Sequence, residues 1–545
     1  MNSKLRALLL CLLLAMTPVL CRAAASPRRS VPLPRIIHRD GRYALLVNGR
    51  PYIILGAQVH NSSAWPAMLP QVWPAIRAID ANTVEMPVYW EQLEPAPGRF
   101  DFSVVDTLLA QARAQHVHLV LLWFGTWKNG SGHYQPLWMQ LNPRRYFRVI
   151  ARGGYAIDSP SPFDRLTEQA DARAFAALMA HLKTADARHT VLLAQVENET
   201  GTYGSQRDYS PRATRIYQAP VPMKLLAALG RTKKQGENWK QAFGANAAVD
   251  FHAWAIARYV NRVAAAGKEQ DPLPLYCNAA LRDPITPQPN GEYESGGPTY
   301  NVLSIWKAAA PEINILAPDI YMPDYRRYAK TLRLYARPDN PLLVPETGLG
   351  PAYPRYFFAA LGRGALGWAP FGVDFTKYAY HPLGSHLLKS KLLRQFALNY
   401  RLARPMDRLL AKLEFAGQLK AVAEERGHPR VMLPWGRWKI SVSFGAPGYG
   451  FDRHPRGNAR PMGRALVARL GKNQFLVAGY FCRVNFHALN PARERQYVRV
   501  EQVKYRHGFH FLSIWNGDET DFGLNFSSAP QILRVWLSSY RGKRG

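Results

Sequence analysis

Short apolar runs alternate with stretches of helical periodicity over most of this chain, and that rhythm limits the folds open to it. Strands are expected near residues 52–57, 82–88, 117–124, 191–197, 273–278, 314–321, 341–345 and 364–369. Helical patterns lie between most of them, as at 102–115 (FSVVDTLLAQARAQ), 172–184 and 246–266. A short unbroken apolar run suits a strand covered on both faces, and apolar residues spaced by three and four suit a helix lying over it. Eight such alternations predict an α/β fold of the (β/α)8 TIM-barrel type. Upstream, ALLVNGRPYIILGA at 44–57 reads as a hairpin that turns at Asn48-Gly49 and feeds the first buried strand. Two long loops, 201–245 and 281–298, follow the fourth and fifth strands and would sit on the C-terminal face, where barrels build their sites.

The pattern changes after about residue 410. Runs such as KISVSF at 439–444, RALVARL at 464–470, QFLVAGYF at 474–481, YVRVEQVKY at 497–505 and FHFLSIWNG at 509–517 predict an antiparallel, sandwich-like β domain. The expected organisation is a signal at 1–25, a barrel at 26–408 and a β-rich domain at 409–545. Lys4 and Arg6 precede an apolar core running from Leu8 to about Leu20, and Ala23-Ala24-Ala25 offers a cleavage site. That run is short for a bilayer span, so the expectation is a cleaved secretory signal and a secreted or periplasmic bacterial protein. No other segment reads as a transmembrane helix. Outside the signal only Cys277 and Cys482 remain, at a spacing that suggests neither a zinc site nor a disulfide framework.

The formal charge of +32 falls to +29 once Lys4, Arg6 and Arg22 leave with the signal. Its basic residues are spread along the chain, with no arginine-rich tail or zinc-finger spacing, so no nucleic-acid partner is expected. Histidines are scattered without HExxH spacing, and no phosphate or dinucleotide loop stands out; no metal or cofactor is expected.

Two glutamates fall where a barrel needs reactive groups. Glu199 follows VLLAQV within VENETG, and Glu346 closes LLVP ahead of Thr347-Gly348. Retaining glycoside hydrolysis needs two carboxyl groups about 5–5.5 Å apart, one a nucleophile and the other an acid and then a base. Glu346 is expected as the nucleophile and Glu199 as the acid/base. Strict alternation would put Glu197 and Glu199 on one face and Asn198 on the other. For Asn198 to reach a sugar 2-hydroxyl beside Glu199, the strand must break its alternation there, which leaves Glu197 as a buried supporting or ion-paired residue. Further substrate-binding candidates are His60 at the end of the first strand, Trp127 as a stacking wall with Asn129 after the third, Tyr321 as a donor to Glu346 after the sixth, and Trp368 as an aromatic floor after the eighth. Glu91 and Glu94, ahead of Pro95 and Pro97, read as structural.

AQVENETGTYG at 194–204 resembles the acid/base motif of glycoside hydrolase family 35, the β-galactosidases. NTVEMPVYWEQLEPAPGRFDFS at 82–103, LLWFGTWKNG at 121–130, SGGP at 295–298, LAPDIYMPDY at 316–325, LLVPETG at 342–348 and GALGWAPFGVD at 364–374 extend the resemblance, which is nearest to a bacterial subgroup with an appended C-terminal β domain. It implies a retaining mechanism with Asn198-Glu199 as the acid/base pair and Glu346 as nucleophile, on a carbohydrate substrate. It also marks departures. Better-known members carry a galactose-contacting tyrosine just after the second strand, where this chain reads Glu85-Met86-Pro87-Val88-Tyr89-Trp90. They carry a glutamate after the third strand, where this chain reads Gly125-Thr126-Trp127-Lys128-Asn129. The sequence therefore points to a retaining exo-β-galactosidase acting on oligosaccharides or polysaccharide side chains. Another retaining β-glycosidase specificity, or a non-catalytic carbohydrate-binding protein on the same scaffold, stands as the alternative.

Overall fold

A computed structural model describes residues 31–289, 291–378, 388–445 and 456–542. The segment expected to be a signal lies outside the described residues. Eight parallel strands form the centre: β1 (Ile54–Gln58), β2 (Thr83–Tyr89), β3 (His118–Lys128), β4 (Val191–Asn198), β5 (Leu275–Ala280), β6 (Ile315–Ile320), β7 (Glu346–Thr347) and β8 (Gly367–Trp368). They pair in the order β7-β6-β5-β4-β3-β2-β1-β8. A parallel bridge from Val344 to Trp368 joins the two ends and closes the barrel. Almost every residue of these strands is buried, as an inner wall covered by helices requires.

Each expected strand has a counterpart, with two shifts. The third runs four residues further, so that Lys128 is still in the sheet and pairs with Asn198. The seventh is expected at 341–345, but its ladder to β6 begins at Glu346. Pro341 and Pro345 have no N–H to give, so pairing before Glu346 is confined to the β8 side, where Val344 donates to the Gly367 carbonyl and accepts from Ala369. The expected helices are present as Ser103–Ala114, Arg165–Ala185 and Ala247–Gln270. The stretch 201–245 is more ordered than a loop. It folds as short helices Pro211–Gln218, Met223–Ala228 and Trp239–Phe243. Ser210 caps the first of these ahead of Pro211, and Asn238 and Gln241 form a capping box on the third.

The expected boundary at 408/409 falls inside helix Asp407–Phe415, and β9 (Leu419–Ala423) opens the β domain. The remaining strands are β10 (Arg430–Trp435), β11 (Trp438–Phe444), β12 (Arg464–Gly471), β13 (Gln474–Tyr480), β14 (Cys482–Ala488), β15 (Arg493–Tyr505), β16 (Phe509–Ile514), β17 (Leu524–Phe526) and β18 (Gln531–Arg541). They make a six-stranded sheet, β9-β12-β13-β18-β15-β16, and a four-stranded sheet, β10-β11-β14-β17. Ala465, Val467, Phe475 and Val477 face the core between the sheets. Their neighbours Leu466, Ala468, Leu476, Ala478 and Tyr480 join the core of the barrel instead. β12 and β13 are thus apolar on both faces, and the two domains share one unit of packing. Cys277 and Cys482 are both free and buried. Among the described residues, no helix is long and apolar enough to cross a membrane.

Arg464 pins this junction. Its guanidinium is buried, donates to Asn399 Oδ1 at 2.7 Å and to the Met462 carbonyl at 2.8 Å, and lies 4.4 Å from the Tyr480 ring centroid. Asn399 belongs to the last barrel helix, Ser390–Ala403. Arg464→Met keeps bulk but strands both acceptors, at a cost of roughly 2–4 kcal/mol. The expected result is a lower urea midpoint; an unchanged midpoint would show that the clasp contributes little.

Candidate active site

The site is built where β4 leaves the barrel. Glu197 and Glu199 both have left-handed backbone, with φ of +63° and +44°. The two reversals break strand alternation on either side of Asn198 and let Asn198 and Glu199 face the barrel mouth together. Asn278 on β5 fixes the result, accepting the Glu199 backbone N–H at 2.9 Å. Asn198 is held at both ends of its amide: Oδ1 accepts from Lys128 Nζ at 2.7 Å, and Nδ2 donates to Glu346 Oε1 at 3.3 Å.

Four side-chain donors converge on the Glu346 carboxylate. Gln58 Nε2 lies 2.9 Å and Asn278 Nδ2 3.5 Å from Oε1, which Asn198 also reaches, while the Tyr321 hydroxyl donates to Oε2 at 2.6 Å. Oxygens of Glu199, Asp319 and Glu346 lie within 4.8 Å of one another. Such a trio has the donor atoms for a cation. Here Asn278 donates to Asp319 Oδ2 at 2.7 Å, and the amides and phenol above occupy both oxygens of Glu346.

So much negative charge in one place has consequences. Burial first, and then the Glu346 charge, push the Glu199 carboxyl up to about 7, against the opposing pull of Lys128 and Asp319. Burial and then Glu346 and Glu199 drive Asp319 well above the usual carboxylate range. Glu85, beneath the site on β2, is likewise raised by burial and then by Glu346. Lys128 is the ammonium set against this group, bonded to both Asn129 Oδ1 and Asn198 Oδ1.

A cavity of about 810 Å³ opens above these groups. His60, Lys128, Asn129, Glu199, Tyr203, Glu294, Tyr321, Glu346 and Phe371 are among the residues that line it. His60 is anchored through Nδ1, 3.0 Å from the Asp374 carboxylate. Burial works against the charge of Asp374, but bonds from the His60 ring and backbone, with Thr376, hold it lowered to about 2.

The structure thus brings together Glu199, Glu346, Asn198, His60, Asn129 and Tyr321. It does not bring Trp127 or Trp368 to the cavity. Trp127 is buried edge-on against Tyr259, and only its backbone N–H has a role near the site, donating to Glu197 Oε2 at 2.7 Å. Trp368 turns outward into the helix layer, donating to the Tyr328 hydroxyl at 2.8 Å and stacking on Phe396. The parity of the short strand β8 decides this, and Phe371, three residues later, supplies the aromatic face in the cavity. Of the two readings for Glu197, the structure fits the buried supporting one: it accepts the Trp127 N–H, and its carboxyl is buried against that of Asp171.

Sequence reasoning missed Lys128, Asp319, Asn278 and Glu294. Asp319 was within reach, because it sits two residues before Tyr321 and shares its strand face. Lys128 occupies the third-strand stretch that departs from the family pattern. Glu294 comes from a loop whose course no periodicity reveals.

Residues 44–283 match glycosyl hydrolases family 35, and residues 396–527 match a domain of unknown function, DUF5597. Beta-galactosidase 10 of Arabidopsis thaliana is 24% identical over 203 residues, covering 36% of this chain and 26% of that protein. The beta-galactosidase of Xanthomonas manihotis is 27% identical over 169 residues, covering 30% of this chain and 26% of that protein. The matched part therefore spans about a quarter of either relative. Among solved structures, beta-galactosidase from Bacillus circulans sp. alkalophilus superposes with a TM-score of 0.53 at 11% identity, covering 89% of this chain and 99% of that one, a likeness of fold.

Glu197 offers a test of the site's electrostatics. Burial, and then Asp171, raise its carboxyl well above the ordinary value of 4.5. The folded protein therefore binds this proton more tightly than the unfolded chain does. The stability it contributes is fully present below about 4.5 and is lost as pH rises toward the raised folded value. Glu197→Gln keeps an acceptor for the Trp127 N–H and removes the titration. Urea unfolding should find the variant more stable than the parent at pH 8, with the gap closing toward pH 5. A pH-independent gap would contradict the assignment.

Proposed function

With residues 44–283 belonging to glycosyl hydrolases family 35, we propose that this chain is a retaining exo-β-galactosidase that removes terminal β-galactosyl residues from oligosaccharides or polysaccharide side chains. The observation that carries the retaining mechanism is the separation of the two carboxyls, whose oxygens approach within 4.8 Å. Retaining enzymes hold them about 5–5.5 Å apart, and inverting ones need roughly 6.5–9.5 Å to admit a water. Exo action is favoured by the loops after β4 and β5, whose Tyr203 and Glu294 wall the cavity. The galactosyl preference is carried over from the relatives. Export through the segment 1–25, to the periplasm or medium, belongs to the same reading.

Each residue then has a task. Glu346 attacks the anomeric carbon as the bond to the leaving oxygen breaks, and Glu199 gives that oxygen its proton. An acid near 7 still holds its proton at neutral pH, as this step requires. The ester at Glu346 carries no charge, so Glu199 becomes more acidic and in the second half-reaction takes a proton from the attacking water. Tyr321 and Gln58 fix the nucleophile, and Asn198, locked by Lys128, offers its amide to the sugar 2-hydroxyl.

Hydrolysis of a panel of aryl β-glycosides tests the reading, and release of no sugar would end it. Glu346→Gly should abolish turnover, with azide restoring it as the α-glycosyl azide. Glu199→Ala should lose least on substrates with good leaving groups, which need little acid help.

The pH profile is a second test. Loss of the Glu199 proton should set the alkaline limb of kcat/KM near pH 7. Lys128 lowers the Glu199 pKa, so Lys128→Met raises it, and the alkaline limb should move to higher pH. A limb that stays in place or moves down would contradict the role given to Lys128.

A further inference from the structure

Glu294 is 1% exposed, yet it lines the same cavity as Glu199 and Glu346. Among the described residues, no donor lies at ordinary hydrogen-bond length from either of its carboxyl oxygens, although the Tyr203 hydroxyl is placed to bond it. The Tyr203 hydroxyl and the Lys128 ammonium favour its charged form, whereas burial, Glu199 and Glu346 oppose it. A carboxyl left in this condition costs about 1–3 kcal/mol or more of stability, and an apolar side chain of the same shape would avoid that cost.

The fold nevertheless holds it firmly. Ser295 and Thr202 exchange backbone hydrogen bonds of 2.9 and 3.1 Å, tying the loop of Glu294 to the loop of Glu199. The two loops meet at glycines. A Cβ at Gly201 would lie 2.8 Å from Glu294 Cβ, and one at Gly297 would lie 2.0 Å from the Thr200 carbonyl oxygen. Glu294 is therefore fixed relative to Glu199 by backbone contact, with its polar atoms turned to a cavity that contains the reacting pair.

We propose that Glu294 is a substrate-contacting residue, the carboxyl that hydrogen-bonds ring hydroxyls of the sugar seated against Glu346, with Lys128 as the donor beside it, and that it selects the hydroxyl pattern the site accepts. This rests on the glycosidase reading above. The bound sugar supplies hydrogen bonds beyond what Tyr203 and Lys128 offer. A sugar lacking the matching hydroxyl would leave the buried carboxyl short of hydrogen bonds, which is how a polar site rejects a near-isostere.

The test separates function from stability. Glu294→Leu should keep or raise the Tm, because it removes a buried carboxyl that the fold hydrogen-bonds poorly, and should lower kcat/KM about 10- to 100-fold. A structural role would lower Tm and activity together. Single-deoxy aryl glycosides then locate the contact. For the parent, one or two positions should cost about 100-fold or more in kcat/KM, and for the variant the same positions should cost less than about 3-fold. Should the leucine variant be destabilised, Glu294→Gln carries the same deoxy series, and its sensitivity should fall at those positions alone. Wild-type kcat/KM in the leucine variant, or an unchanged deoxy profile in either variant, overturns the proposal while leaving the glycosidase reading intact. A parent inactive on every glycoside removes that reading and the proposal together.

Discussion

Glu197 and Glu199 hold left-handed backbone on both sides of Asn198, a conformation that costs a non-glycine residue about 1–3 kcal/mol. The surroundings over-determine it. Glu197 Oε2 accepts the Trp127 N–H, Asn278 accepts the Glu199 N–H, and Asn198 is clamped between Lys128 and Glu346. If either reversal relaxed, Asn198 and Glu199 would turn to opposite faces of β4 and the amide would leave Glu346. The site's geometry thus rests on local strain that the flanking strands β3 and β5, together with Glu346 of β7, hold in place.

The second constraint is charge. Five carboxyls, Glu85, Glu199, Glu294, Asp319 and Glu346, gather at one end of a low-dielectric barrel with the Lys128 ammonium among them. They cannot all ionise, and burial together with mutual repulsion raises Glu85, Glu199, Glu294 and Asp319. The proton kept on Glu199 is thus a property of the group as well as of its own burial. Glu346 is distinguished by its donors: three carboxamides, Gln58 of β1, Asn198 of β4 and Asn278 of β5, and the Tyr321 phenol all point at it.

How much of this could be read from the chain depends on the range of the interaction. The barrel was legible because strands buried on both faces must be short and apolar, and the helices between them amphipathic. Glu199 and Glu346 were legible because strand ends are where barrels place reactive groups. The exit of β4 was legible as a requirement, though the sequence could not say that both flanking glutamates would reverse. Trp127 and Trp368 show the limit. Each sits at a strand end, but whether its ring turns inward or outward depends on parity within a bulged or two-residue strand, and both turn outward. Glu294 lies further beyond reach, since its place follows from glycine contacts between two loops nearly a hundred residues apart in sequence.

The β domain bears on the same question. β7, which carries Glu346, pairs with β6 through only Glu346 and Thr347, and β8 contributes only Gly367 and Trp368. This is a seam of short ladders, and the β domain packs beside it. Helix Ser390–Ala403 spans the gap: the Tyr400 hydroxyl lies 2.7 and 2.8 Å from the Gly56 and Trp368 carbonyls, and Asn399 Nδ2 donates to the Pro354 carbonyl beyond β7. Arg464 of the β domain holds the other end of that asparagine, and Arg355 donates to the Pro461 carbonyl at 2.7 Å. RALVARL and QFLVAGYF, where apolar residues run on without strict alternation, are the sequence trace of this arrangement, since β12 and β13 face one core on each side. The appended domain therefore braces the seam that carries Glu346, which gives a barrel with such a short seventh strand a physical reason to keep it.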